Sequence, residues 1–183
     1  MEIRSLVDLK LDDLRRVAGG YTSAFRYEVM HSEMDDLVEF SLRCVPLRNP
    51  YVKTFGFGDE TIASYRPFFN NGFSYGAYDN DRLIGLAVCE WHIWNNSVQI
   101  HEFHIEESYR RCGRGEALMR YISKAAAAAS TRITVCETQN TNVPALKFYH
   151  QAGFRIEGID LSLYSNVDYP DREIAVFMKL RLS

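Results

Sequence analysis

Between Phe73 and Ala129 the hydrophobic period changes from two to 3.6, which limits the fold more than any other feature. Phe73 to Tyr78, Arg82 to Ile93 and Ser97 to Ile105 each read as a strand. Asp79-Asn80-Asp81 and Asn95-Asn96 are short polar turns between them, and such turns join antiparallel neighbours. From Gly113 to Ala129 a helix follows, with Leu118, Tyr121, Ile122, Ala125 and Ala129 on one face. Its alanine run is a good helix former and packs closely on a sheet. Arg132 to Glu137 reads as a β-branched strand. The next helix takes Thr141 or Asn142 as its cap, Pro144 in its first turn and Gly153 just past its end. Phe154 to Tyr164 and Arg172 to Leu182 close the chain as two paired strands, giving an α/β arrangement around a mixed sheet.

The first third is less patterned. Residues 2–9 alternate weakly as a strand, and Leu11 to Val17 form a short helix ending near Gly19-Gly20. Residues 21–50 show only an apolar element, Leu37, Phe40, Leu42 and Val45, before Pro46 and Pro50. Thr61 to Asn70 reads as a helix interrupted by Pro67 and stopped by Asn70-Asn71-Gly72.

A chain of 183 residues suits one domain, and 46% hydrophobic with 25% charged residues is ordinary globular composition. A net charge of -3 argues against a nucleic-acid partner, which needs a basic surface to displace counterions. No apolar run reaches membrane-span length, and Met1-Glu2-Ile3-Arg4 opens without a secretory segment, so the expectation is a cytoplasmic protein without a membrane partner. Cys44, Cys89, Cys112 and Cys136 form no Cys-x-x-Cys pair, so free thiols and no zinc are expected. His101 and His104 are three apart on a strand and are expected to face opposite sides, unlike the helical pair of a zinc protease; no metal is expected.

The chemistry concentrates in Arg110-Arg111-Cys112-Gly113-Arg114-Gly115, between an apolar strand and an amphipathic helix. Glycines let the backbone approach a ligand, and the unpaired amides of a helix start attract an anion. Read alone, the loop is either a pyrophosphate cradle or a glycine-rich helix start with solvated arginines. It lacks the Gly-Lys-Ser/Thr ending of a Walker loop and the spacing and βαβ setting of a Rossmann fingerprint.

Arg-x-x-Gly-x-Gly after the strand Ile100-His101-Glu102-Phe103-His104-Ile105 resembles the coenzyme-A-binding motif of the GCN5-related N-acetyltransferases. Asn142-Val143-Pro144-Ala145-Leu146-Lys147-Phe148-Tyr149-His150-Gln151-Ala152-Gly153-Phe154 is similar to that superfamily's second motif, Asn-x-x-Ala-x-x-Phe-Tyr-x-x-x-Gly-Phe. Within it, Glu137-Thr138-Gln139, Leu163-Tyr164-Ser165-Asn166 and Glu173-Ile174-Ala175 resemble the streptothricin acetyltransferase branch.

The resemblance implies a GNAT-like α/β (α+β) fold, a mixed, mostly antiparallel central sheet flanked by helices. It implies one domain over 1–183, recognisable over 73–182, with 1–72 supplying acceptor-side elements. It also implies an acetyltransferase that uses acetyl-coenzyme A (acetyl-CoA) without metal and acetylates a small-molecule amine by direct transfer. Two alternatives stay open: acetylation of a protein or peptide amine, and a non-catalytic coenzyme-A-binding module. Relatives are often dimers, and the closing strands 154–182 offer an edge for a homodimer.

By the same resemblance, Glu102 is the general base, or a carboxylate that only binds a cationic substrate or pairs with an arginine. From its place on Glu102's side of the strand, His104 would tune or relay that residue's proton, or else be an ordinary sheet histidine. Amides of Phe103, His104 and Ile105 would meet the pantetheine arm, and those of Arg110, Arg111, Cys112, Gly113, Arg114 and Gly115 the pyrophosphate. Asn142 would contact the cofactor arm, serve as a plain helix cap, or do both. Tyr149 would protonate the departing thiolate, or simply pack beside Phe148. Aromatic and acidic residues such as Phe55, Phe68, Trp91, Trp94, Glu90 and Glu106 suit a cationic acceptor, or else form core and solvated face.

Overall fold

The computed structural model describes residues 1–182. In chain order its elements are β1 (Glu2–Ser5), α1 (Leu11–Val17), β2 (Tyr21–Met34), β3 (Leu37–Lys53), α2 (Asp59–Tyr65) and β4 (Tyr75–Asp79). Then come β5 (Arg82–His92), β6 (Ser97–Ile105), α3 (Arg114–Ala128) and β7 (Ile133–Gln139). The chain closes with α4 (Val143–Gln151), β8 (Arg155–Asp160) and β9 (Ala175–Arg181). Seven strands share one sheet in the order β1-β4-β5-β6-β7-β9-β8, and β2 and β3 form a separate two-stranded sheet. The β1–β4, β4–β5 and β5–β6 pairs are antiparallel and β6–β7 is parallel, giving the mixed, mostly antiparallel sheet flanked by helices that the resemblance implies.

The chain folds as two compact units. The first comprises Met1–Gly20, Thr54–Cys136 and the chain from Lys179 on. The meander expected over 73–105 is present there. Asn80 and Asp81 both take positive φ (47° and 62°), the conformation that a two-residue hairpin turn needs and that Asn and Asp tolerate. Leu6, Leu9, Leu14, Val17 and Ile62 pack with Leu83, Leu86 and Val88 of β5 as one apolar core. On α3 the buried face is Leu118, Met119, Ile122 and Ala126. It is rotated from the expected face: Tyr121 stays exposed and meets Tyr75 edge-on. The helix expected over Thr61 to Asn70 is two shorter pieces, α2 and a 3-10 turn at Arg66–Phe68. Pro67 has no N–H to continue the α-helical ladder.

The second unit comprises Tyr21–Lys53 and Glu137–Met178. Residues 21–50, where the sequence suggests only one apolar element, are most of a long hairpin paired from Tyr21↔Lys53 to Met34↔Leu37. The strand runs through both Pro46 and Pro50. A two-stranded sheet tolerates them, because each strand has an edge that needs no N–H donor. Buried Asn140 secures β2: its backbone and side chain bond both backbone polar groups of Tyr27 and both of Ile174. Val143, Leu146 and Tyr149 form the buried face of α4, and Phe154 is fully buried.

Candidate active site

In the first unit, β6 carries one residue too many for its partner. Val88 pairs with Glu102 and Cys89 with Ile100, so His101 bulges. A bulge re-aims the side chains around it. Tyr65 meets both His101 and Glu102, and Glu102 in turn meets His104, so the bulge links all three in one chain of contacts. Tyr65 on α2 donates its hydroxyl to Glu102 Oε1 at 2.6 Å, and its ring lies 6.3 Å from that of His101. His104 Nε2 contacts Glu102 Oε2, donating if that nitrogen carries its proton, and Phe55 packs edge-on against the His104 ring at 5.4 Å. Glu102 and His104 side chains are only 13% and 14% exposed. Burial, reinforced by the Glu102 carboxylate, pushes the Tyr65 phenol above its ordinary value, which keeps it a donor.

His101 is stacked on Phe68 at 5.0 Å and bonds Glu90 Oε2 at 2.9 Å. Burial works against the Glu90 carboxylate, but hydrogen bonds with His101 and His92 hold it below the usual range. Glu106 pairs with Arg16 and Arg82 and so ties the unit together. Trp91 and Trp94 are exposed. No cluster of three metal-ligating side chains occurs among the described residues.

The loop Arg110 to Gly115 lies in the same unit. The β6 ladder with β5 runs on to Gly85↔Ile105, whereas its ladder with β7 ends at Ile100↔Cys136. The Arg110 amide donates to Glu107, and its guanidinium donates to the carbonyls of Ile105 (2.8 Å) and Gly20 (3.1 Å). Arg110 thus braces the loop. Gly113 caps α3 at φ +77° without a side-chain bond, and the first helical donor is Ala117 to Gly113. The amides of Arg114, Gly115 and Glu116 therefore precede the helical ladder, and a Cβ on Gly113 would meet nothing within 4 Å. An open αL glycine before a fifteen-residue helix fits a pyrophosphate. Arg114 lies over the Tyr109 ring at 4.8 Å and donates to Cys112 Sγ.

In the second unit, Asn142 caps α4, its Oδ1 accepting from the Ala145 amide at 3.3 Å. Tyr149 is buried between the Phe148 ring (5.5 Å) and the Phe154 ring (5.3 Å). Glu173 gathers the hydroxyls of Tyr21, Tyr51 (3.1 Å) and Thr141, and pairs with Lys53. Glu137 accepts from the Tyr164 hydroxyl, which also takes a bond from Gln139. Sequence reasoning missed Tyr65, Tyr21 and Lys53, because all three lie before residue 73, where no motif gives a register.

The model of the acetyltransferase (GNAT) family matches residues 34–154, and the chain belongs to this family. It is an acetyl-CoA-dependent N-acetyltransferase, with acetyl-CoA as its cosubstrate. Streptothricin acetyltransferase A of Bacillus subtilis (strain 168) is 33% identical over 128 residues, 70% of this chain and 72% of that protein. A Bacillus anthracis str. Ames protein, provisionally named streptothricin acetyltransferase and solved with acetyl coenzyme A, is 26% identical with a TM-score of 0.72, covering 98% of each chain. The crystal structure of nourseothricin acetyltransferase shares the fold at a TM-score of 0.80 and 24% identity, covering 100% of this chain and 98% of that one.

Proposed function

We propose that the chain acetylates a primary amine of a small cationic molecule, a streptothricin-type antibiotic, by direct transfer. The observation that carries the reading is the Glu102 carboxylate, gripped by Tyr65 and His104 and nearly shut from solvent. An alkylammonium with a pKa near ~10 has no lone pair at neutral pH, so transfer needs a base. Glu102 takes that proton, directly or through water, and His104 relays it outward. When bound, acetyl-CoA supplies an acyl group activated as a thioester. Amides of Phe103 to Ile105 hold the pantetheine arm and polarise the carbonyl, and amides from Arg111 to Gly115 hold the pyrophosphate, with Arg110 as brace. Asn142 contributes to cofactor contact while capping α4. As the N–C bond forms and the C–S bond breaks, Tyr149 gives its proton to the thiolate.

The choice of acceptor is supported by the similarity to proteins named for streptothricin and nourseothricin acetylation. The whole of residues 1–183 acts as one catalytic domain in this reading. Thiol release from acetyl-CoA, compared across streptothricin, simple diamines and N-terminal peptides, tests it. The expectation is a kcat/KM for streptothricin at least about a hundredfold above that for any peptide, since a site built for charged groups penalises partners that leave them unpaired. A peptide turned over better than streptothricin would overturn the reading.

A further inference from the structure

The outer strand of the hairpin poses a separate problem. β3 pairs with β2 alone, leaving its other edge without a partner strand among the described residues, and most of its residues are exposed. Leu37, Val38 and Phe40 stand in solvent there, joined by Met30 and Met34 of β2. Long apolar edges of this kind template pairing with another chain unless something blocks them. Pro46 and Pro50 block the far half by removing N–H donors, which leaves the proline-free run Leu37 to Val45.

That run is complementary to itself. Its midpoint is Ser41. In an antiparallel pairing about a two-fold axis through Ser41, Leu37 faces Val45, Val38 faces Cys44, Glu39 faces Arg43 and Phe40 faces Leu42 of the other copy. Apolar meets apolar, and each Glu meets an Arg. A shift by one residue sets Glu39 against Leu42 or Cys44, and Arg43 against Val38 or Phe40. A shift by two sets Glu39 against Val45 or Ser41. Only the Ser41 register satisfies the charges, and it is also the one that overlaps the whole proline-free run. Among the described residues neither Glu39 nor Arg43 makes an ion pair within its own chain.

We propose that Leu37 to Val45 is a homodimerisation strand, joining two hairpins into one four-stranded sheet across a two-fold axis at Ser41. Such an interface is isologous, so the two Glu39–Arg43 contacts come as a symmetric pair. Exposed Met30 lies across from Ser41 and Met34 across from Leu37, widening the apolar contact on the face that Glu39 and Arg43 share.

The test uses the full chain, by light scattering after gel filtration and by cross-linking. Wild type should be a dimer at tens of micromolar. Glu39→Arg and Arg43→Glu, each turning two attractions into repulsions, should raise the dimer dissociation constant at least about tenfold. The double exchange should restore it to within about twofold, which no mere folding defect would do. In a Cys44→Ser/Cys112→Ser background, Ser41→Cys should form an intermolecular disulfide on mild oxidation, because opposed strand positions at a dyad lie within disulfide reach. Val52→Cys, exposed beyond the prolines, should not. A monomeric wild type, single and double charge variants weakened alike, or a dimer that Ser41→Cys does not cross-link would each overturn the proposal.

Discussion

The Tyr65 hydroxyl donates to Glu102 Oε1 at 2.6 Å while His104 Nε2 holds Oε2, so one carboxylate is fixed from both a helix and its own strand. As the proposed base, Glu102 would lose its function on becoming an amide. Glu102→Gln should lower kcat by about 10²–10⁴-fold, the usual contribution of general-base catalysis, with acetyl-CoA affinity unchanged. Tyr65→Phe removes one charge-assisted hydrogen bond and should cost about tenfold in kcat. Steady-state kinetics beside direct cofactor titration separate the two effects. Unchanged turnover in Glu102→Gln would reduce this carboxylate to a structural group.

Tyr149 should behave differently. Removing only its hydroxyl leaves the packing on Phe148 and Phe154 in place. Tyr149→Phe is expected to lower turnover with little change in acetyl-CoA binding or thermal midpoint. Full turnover in the steady-state assay would sink the acid role.

The two ends of the Arg110 to Gly115 loop make opposite predictions. Gly113→Ala places a Cβ in open space but forces a left-handed conformation, costing about 1–2 kcal/mol, and should raise the KM for acetyl-CoA more than it lowers kcat. Arg110→Ala removes two guanidinium bonds to backbone carbonyls and should lower the thermal midpoint by several degrees, at roughly 2–4 °C per kcal/mol for a chain of this size. Arg110→Lys should not rescue it, since an ammonium lacks the planar fork. The thermal midpoint and the KM of each variant check the assignment.

Cysteines report on the same loop. Cys112 and Cys44 are exposed, whereas Cys89 and Cys136 are buried, and burial pushes the Cys89 thiol well up. Alkylation should modify Cys89 and Cys136 only on unfolding. Acetyl-CoA at ten times its Kd should slow Cys112 modification about tenfold and leave the Cys44 rate unchanged. Equal rates at Cys112 with and without acetyl-CoA would contradict the placement of the pyrophosphate.

Stability should fall on the alkaline side. Burial raises the phenols of Tyr21, Tyr65 and Tyr164, with Glu173, Glu102 and Glu137 adding to it respectively. Above the ordinary tyrosine value of ~10 the unfolded chain loses protons that the native one retains, so unfolding becomes progressively easier. Below that value these groups contribute no slope. Urea midpoints between pH 8 and 11 should drop beyond pH 10, and the drop should be smaller in Tyr65→Phe.

Much of this was legible in the sequence because period and punctuation agreed. Asn80-Asp81 set the β4–β5 turn, and Asn142, Pro144 and Gly153 framed α4. The loop after β6 was visible as glycines between a strand and a helix. Less visible was what depends on register or on distant chain. The bulge at His101 follows from one mismatched pair between β5 and β6, which no single strand announces. Tyr65 reaches Glu102 across 37 positions from a short helix broken by Pro67. The hairpin of β2 and β3 hid because β3 is exposed on both faces, carries two prolines and lacks the alternation that burial of one face imposes. On α3 the expected face was rotated, since an alanine-rich helix marks its buried side weakly.

Acetylation of the antibiotic is tested by incubating streptothricin with the chain and acetyl-CoA and analysing it by mass spectrometry against the Glu102→Gln variant. The expected product carries one acetyl group per molecule on a primary amine, formed in step with thiol release and nearly absent with the variant. Unmodified streptothricin after many equivalents of wild-type protein, with Cys112 still protected by acetyl-CoA, would contradict it.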